Sequence, residues 1–337
     1  MAEQRPVAGL TSGSTETLRE SLSQPGLDDD LDVLAMTEEV RALAHDRGAI
    51  ILAHNYQRPE VQDVADFVGD SLELARKAAS VPDASVIVFC GVHFMAETAA
   101  ILNPEKPVVL PDIEAGCPLA DMVTPRDVEE LKRQYPGAPV VSYVNTSADV
   151  KAVSDICCTS SNAVSVVRSL AASGADTVIF VPDKHLAAFV ARKVPDVRIV
   201  PGNGFCPTHA RFSLEDVARA REEHPEAVVV CHPECVEDVQ LACDYVLSTG
   251  GMARLPSEVT ASEFVVGTEV GMLYRLRTMY PECAFYPLNE RAICPNMKKI
   301  TLPRVLHALT TLEPIVTVPD ETARLARSAI ERMLEIR

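Results

Sequence analysis

Three of the ten cysteines in this 337-residue chain are followed by proline, in "AGCPLAD", "GFCPTH" and "AICPNMKK". They are Cys117, Cys206 and Cys294, spaced by 89 and 88 residues. A lone Cys-Pro says little, because free cysteine usually behaves as a small buried hydrophobe. Three at matched spacing say more. Pseudo-equivalent repeats packed about an axis bring equivalent points together, so three loops can each deliver one thiolate to the same place. A cubane iron–sulfur cluster has three-fold axes and takes cysteine thiolates as ligands. Three protein ligands leave one iron open. A structural zinc on the same thiolates plus one histidine, such as His209, uses the same ligand types.

The spacing of 89 recurs in apolar segments. "AIILAHNYQ" from Ala49, "APVVSYVNT" from Ala138 and "AVVVCHPEC" from Ala227 share one frame. In that frame His54, Tyr143 and His232 are equivalent, with Asn55 and Tyr56, Asn145, and Glu234 just beyond. Parallel α/β sheets carry ligands at the carboxyl ends of their strands, which is where these groups fall. Further along, Ser71, Ser160 and Thr249 again differ by 89 and stand at the apparent starts of helices. A hydroxyl there caps free backbone N–H groups. Three in register also suit a carboxylate or phosphate, which those N–H groups and the helix dipole favour.

Short Val- and Ile-rich runs alternating with helical segments supply the elements behind these residues, the pattern of βα units around parallel sheets. The predicted fold is α/β, with three pseudo-three-fold-related parallel-sheet sub-domains. Residues 1–30 read as a polar, mobile tail. The repeats take residues 31–137, 138–226 and 227–300, and C-terminal helices take 301–337. The last helix, capped by Asp320, is expected to bury Leu325, Ile330 and Leu334 as a peripheral cover.

A net charge of −17 argues against a nucleic-acid or anionic-lipid partner held by bulk electrostatics. With no apolar run long enough for a membrane span and no signal-peptide core at the start, the expected location is cytoplasmic. Ten cysteines without a secretory segment point to thiols or metal ligands. Cys90, Cys231 and Cys243 are expected to be buried. Adjacent Cys157 and Cys158 chelate poorly together, Cys231 with Cys235 lacks the usual spacing, and Cys283 has no evident partner.

With "AHNYQ", "GDSLEL", "GCPLADM", "YVNT", "CTSSNA", "HPEC", "STGGM", "GTEVGML" and "CPNMKKITL" in hand, the chain resembles the quinolinate synthase family over about residues 35 to 312. The family's enzymes serve de novo NAD biosynthesis. The resemblance implies three α/β domains around one [4Fe–4S] cluster, ligated by Cys117, Cys206 and Cys294. It implies substrate contacts from His54, Ser71, Tyr143, Asn145, Ser160, His232, Glu234 and Thr249. Arg291 and Met297 flank Cys294, so the C-x-x-C-x-x-C run of some members, with its redox disulfide, is absent. "PDKHLA" departs from the family segment and leaves Lys184 and His185 without a role.

The implied reaction condenses iminoaspartate (iminosuccinate) with dihydroxyacetone phosphate to give quinolinate, phosphate and water, the open iron serving as a Lewis acid. Tyr143, His232 and Glu234 are the catalytic candidates, with Glu234 and Tyr143 suited to proton transfer. A functional link to the enzyme that supplies iminoaspartate follows. Two other readings use the same thiolates: a [4Fe–4S] hydro-lyase acting on a hydroxy acid, and a non-catalytic iron or oxygen sensor. A sensor has no need of strand-end groups such as His232 with Glu234.

Overall fold

The computed structural model describes residues 27–336. Three four-stranded sheets are present, every strand pair parallel, each with the order second, first, third, fourth. The first holds β1 (Ala49–His54), β2 (Phe67–Gly69), β3 (Val86–Cys90) and β4 (Val108–Val109). The second holds β5 (Val140–Tyr143), β6 (Ile156–Cys158), β7 (Thr177–Val181) and β8 (Arg198–Pro201). The third holds β9 (Val228–Cys231), β10 (Tyr245–Val246), β11 (Glu263–Gly267) and β12 (Ala284–Pro287). The central strands are near-continuous apolar runs because helices cover both faces. Among the described residues no helix is long and apolar enough to cross a membrane.

One device repeated in every sub-domain escaped the sequence analysis. Asp66, Asp155 and Asp244 each accept a backbone N–H from the first strand of their sheet, those of Ile51, Val140 and Val229, at 2.7, 2.8 and 2.8 Å. Each aspartate returns its own N–H to the carbonyl of that same residue. The pair of bonds ties the chain before the second strand to the first strand and fixes their register. A register slip would move every apolar side chain to the wrong face.

The helices of each repeat run from a strand's carboxyl end to the next strand. They are α1 (Leu27–Asp46), α2 (Pro59–Val64), α3 (Ser71–Ala79) and α4 (His93–Leu102), then α5 (Pro125–Gln134), α6 (Ala148–Ala152), α7 (Ala163–Ala172) and α8 (Lys184–Lys193). Next come α9 (Leu214–Glu223), which falls in the span 138–226 expected for the second repeat but packs on the core of the third sheet, then α10 (Glu237–Ala242), α11 (Thr249–Glu258), α12 (Gly271–Met279), α13 (Leu302–Thr311) and α14 (Asp320–Glu335). α1 ends at Gly48, whose φ of 58° suits glycine. The proposed tail lies outside the described residues except for its last four, which are helical in α1.

Two local expectations need correction. α14 is capped by the backbone of Pro319, not by the Asp320 side chain. Its buried face is Ala326, Ala329, Ile330 and Met333, while Leu325 is exposed. It packs on α6, β6 and α4, and its Met333 carbonyl accepts Asn162 Nδ2 at 3.2 Å. One large core joins the first sub-domain and one face of the second with α13, α14 and the turn after Cys294; the other face of the second has a small core around Val140 and Ile179, and the body of the third has two.

Candidate active site

A cavity of about 150 Å³ lies among the three sub-domains, lined by loops from the carboxyl ends of all three sheets. His54 and Tyr143 are the last residues of β1 and β5, and His232 follows β9. All three line the cavity, as do Ser71, Asn145, Ser160, Glu234 and Thr249. Cys117, Cys206 and Cys294 line it too, so every site residue expected from sequence reaches one space.

The three cysteine loops are built alike. Each Cys-Pro opens a single 3₁₀ turn, Ala120–Met122, His209–Arg211 and Met297–Lys299. The cysteine carbonyls accept the N–H groups of Ala120, Ala210 and Lys298 at 2.9, 2.9 and 3.3 Å. Seven residues after each cysteine stands the N-cap of a helix, Thr124, Ser213 or Thr301. Proline presets φ for the turn, and the cap starts the helix that anchors it. All three thiols are free. Burial pushes the Cys117 thiol up to about 12, and pushes Cys206 and Cys294 up as well, with the Glu234 charge adding to the rise at Cys117 and Cys206. The thiols therefore stay protonated until a cation compensates them, as metal ligation does. Three thiols with interchangeable turns around one cavity fit a group that takes three thiolate ligands.

The strand-end loops also share a scaffold. His54 Nδ1 accepts the N–H of Tyr56 at 3.2 Å, and His232 Nδ1 accepts that of Glu234 at 3.3 Å. Burial lowers both pKa values, that of His54 to about 3. His54 is therefore neutral and carries its proton on Nε2, while His232 Nδ1 also lies 3.3 Å from Glu234 Oε2 and its Nε2 reaches Ser160 Oγ at 3.1 Å. Behind the loops sit Gln62, Lys151 and Gln240, again 89 apart and buried. Gln62 Nε2 donates to the carbonyls of Asn55 and Gln57, Gln240 Nε2 to those of Pro233 and Cys235, and Lys151 Nζ to that of Thr146.

The hydroxyl positions stand slightly differently from expectation. The caps of α3 and α11 are Asp70 and Ser248, and α7 is preceded by Asn162. Ser71 and Thr249 are first helical residues, and Ser160 lies in the turn before α7. Their hydroxyls are thus released from capping. The Ser161 hydroxyl bonds both the Asp70 carboxylate and, at 2.8 Å, the Ser248 hydroxyl, tying the three helix starts together. Asn55 Nδ2 crosses from the first repeat to Thr249 Oγ1 at 3.1 Å.

Glu234 is the electrostatic centre. Burial alone would raise its pKa, but His232 and His209 outweigh that and hold it well below the usual carboxylate range. His209 Nδ1 is 2.8 Å from Glu234 Oε2, and Asn145 Nδ2 donates to Oε1 at 3.4 Å. Tyr143 has the opposite shift: burial first, then the Glu234 charge, lift its phenol well above the usual range. Asn145 Oδ1 is buried without a partner.

Sequence reasoning assigned no role to several polar cavity residues, among them Tyr56, Asp70, Arg211 and Glu269, nor to His209 as a partner of Glu234. Tyr56 OH and His209 Nε2 meet at Thr268 Oγ1, at 2.6 and 2.8 Å. Tyr56 and Glu234 occupy the same repeat position, a signal already present in the frame. Cys206 Sγ, His209 and Glu234 bring ligand atoms within 4.8 Å of one another. His209 Nδ1 lies 3.1 Å from Cys206 Sγ as well as beside Glu234, and its Nε2 faces Thr268, so the ligand types of the zinc reading also meet here. Lys184 and His185 do not line the cavity; Lys184 Nζ lies 5.1 Å over the Phe205 ring. Cys90, Cys157, Cys158, Cys231 and Cys235 are buried, whereas Cys243, expected inside, is partly exposed.

A model of the family described as Quinolinate synthetase A protein matches residues 38–335. The chain belongs to the quinolinate synthase family. Membership makes it an enzyme. A quinolinate synthase of Thermodesulfovibrio yellowstonii is 55% identical over 302 residues, 89% of this chain and 97% of that protein. One from Dehalococcoides mccartyi is 53% identical over 301 residues, 89% and 98% of the two chains. One from Methanoregula boonei is 53% identical over 305 residues, 90% and 99%. The matches span all three sub-domains, so the site belongs to the matched region.

Proposed function

We propose that this family member condenses iminoaspartate with dihydroxyacetone phosphate to form quinolinate, releasing phosphate and water, with a [4Fe–4S] cluster held by Cys117, Cys206 and Cys294. The observation that carries the proposal is the meeting of three free thiols with His54, His232 and Glu234 in one cavity. When bound, the cluster supplies a Lewis-acidic iron that polarises a substrate oxygen.

The chain's own groups divide the remaining work. His54 and His232 present Nε2–H donors to substrate carboxylates, and the starts of α3 and α11 add backbone N–H groups with Ser71 and Thr249. Among the described residues, Arg211 is the only Lys or Arg lining the cavity. Exposed at its edge, it suits the phosphate. Asn145 Oδ1 is free to accept from a substrate N–H or O–H.

Glu234, held ionised, is the proton acceptor for enolisation, and Tyr143, held neutral, is a proton donor to a leaving hydroxyl. His209 keeps the Glu234 carboxylate in place and shares its negative charge. An upstream enzyme that forms iminoaspartate is the functional partner this reaction requires. The deciding experiment is an anaerobic assay of the iron-loaded protein with both substrates, following quinolinate. No quinolinate from protein carrying about four irons per chain would overturn the assignment and return the hydro-lyase reading.

A further inference from the structure

We propose that Glu269 is a positioning residue which, with Lys298, couples the Cys294 turn to the Tyr56 loop, so that the third cluster ligand and the first substrate loop move as one unit. The proposal rests on the cluster assignment above.

Glu269 lies in "GTEVGML", two residues past the end of β11, and is fully buried. Its Oε1 accepts the N–H of Cys294 at 3.2 Å, and its Oε2 accepts that of Gly271 at 2.7 Å. Lys298, in the turn opened by Cys294, has its Nζ 3.0 Å from Glu269 Oε1. The same Nζ donates to the carbonyl of Tyr56, and the Lys298 carbonyl accepts Arg58 Nε at 3.0 Å. A continuous path therefore runs from the cysteine N–H through a carboxylate and an ammonium to the backbone of a cavity residue in another sub-domain. Space around it is closed. A Cβ at Gly271 would meet the Tyr56 oxygen at 2.6 Å, Lys298 Nζ at 2.7 Å and Glu269 Oε2 at 2.8 Å.

Comparison of the repeats separates this arrangement from a generic support. All three cysteine turns carry the same carbonyl bond, and the N–H groups of His93, Lys184 and Val270 bond the carbonyls of Ala115, Gly204 and Ala292, each two residues before its cysteine. Immediately before those N–H groups stand Val92, Asp183 and Glu269, and four residues after the cysteines stand Asp121, Ala210 and Lys298. Only the third repeat has the carboxylate and the ammonium together. The turn forms without the pair in the other two, so folding the turn is not what requires it. A buried ion pair is also weak as a source of stability, and is best used to fix position.

The test uses full-length, iron-loaded protein made without oxygen: unaltered, Glu269→Gln, Lys298→Met, and the double variant. Iron per chain, the electron paramagnetic resonance spectrum of the reduced cluster with and without quinolinate, and kcat and KM are read on each. Coupling predicts that Lys298→Met, which alters no thiol, changes the cluster spectrum and raises KM by about tenfold, the middle of the range for residues in one network. It also predicts that the double variant is little worse than the worse single. A Lys298→Met protein with raised KM and an unaltered cluster spectrum overturns the proposal, as do effects that simply add. Lys298 is partly exposed, so its variant decides the matter even if Glu269→Gln does not accumulate. If the unaltered protein holds no cluster, the assignment in the previous subsection fails instead, and the two failures are distinct.

Discussion

The first and third strand-end loops share one backbone scaffold and differ in every side chain after the histidine up to the second braced carbonyl, Asn55-Tyr56-Gln57 against Pro233-Glu234-Cys235. In both, a buried histidine ends or follows the central strand, its Nδ1 bound by the N–H two residues on, and a buried glutamine braces the carbonyls from behind. At the position of that N–H the first loop has Tyr56 and the third has Glu234. Burial makes the phenol a worse acid, whereas two histidines keep the carboxylate ionised against the same burial. One scaffold thus yields a hydrogen-bonding loop and a proton-accepting loop. Repetition supplies geometry, and the side chains it carries decide the chemistry.

The largest expected effect tests that division directly. Glu234→Gln preserves shape, so the protein should keep its iron and bind quinolinate while turnover falls by roughly 10²–10⁴-fold. Tyr56→Phe should lower turnover by far less. Equal losses in kcat would erase the distinction between the loops.

The histidines give a pH signature. Folded His54 stays neutral down to about pH 3, while the unfolded chain takes up a proton below about 6.5. Folding therefore loses stability as pH falls, by about 1.4 kcal/mol per pH unit for such a group. Urea unfolding between pH 6.5 and 5, above the usual carboxylate range, should show a shallower slope in His54→Asn, and His232→Asn should act in the same sense. An unchanged slope in both would remove the burial argument.

Gln62→Met and Gln240→Met should each destabilise by about 1–3 kcal/mol, because each strands buried carbonyls without a donor. Matched losses in chemical unfolding support one shared brace, and a loss at only one site breaks the equivalence. The smallest effect is at the cavity edge. Arg211→Ala should raise KM for dihydroxyacetone phosphate by about tenfold or less, in line with a charge-assisted hydrogen bond at an exposed site, and leave the iminoaspartate KM nearly unchanged.

Much of this was legible in the sequence because the frame of 89 residues survives wherever the backbone itself is repeated. The Cys-Pro turns, the strand-end histidines and the hydroxyls all follow it. The staples from Asp66, Asp155 and Asp244 follow it too, and were missed because an aspartate before a strand resembles an ordinary loop residue. What does not follow the frame was not legible. Thr268 gathers Tyr56 and His209 from two other sub-domains, and Glu269 reaches Lys298 and Cys294, through contacts no periodicity encodes. The face of α14 was misread for the same reason. Apolar spacing leaves several stripes open, and packing on α6 and β6 selects the one through Ala326, Ala329, Ile330 and Met333.

The division of the apolar interior carries a consequence for the proposed metal centre. One large core joins the first sub-domain and one face of the second with α13, α14 and the Cys294 turn, the other face of the second has a small core of its own, and the body of the third is filled by two. Cooperative opening follows contiguous packing, so the body of the third sub-domain around β9 and β11 is the natural unit to open without disrupting the others, whereas Cys294 packs with Met297 and Ile300 on the large core. Amide hydrogen exchange in β9 and β11 should then outrun that in β1 and β5. Each opening would withdraw His232 and Glu234 while the three thiols stay on one core, so the site would lose its substrate groups sooner than its metal ligands.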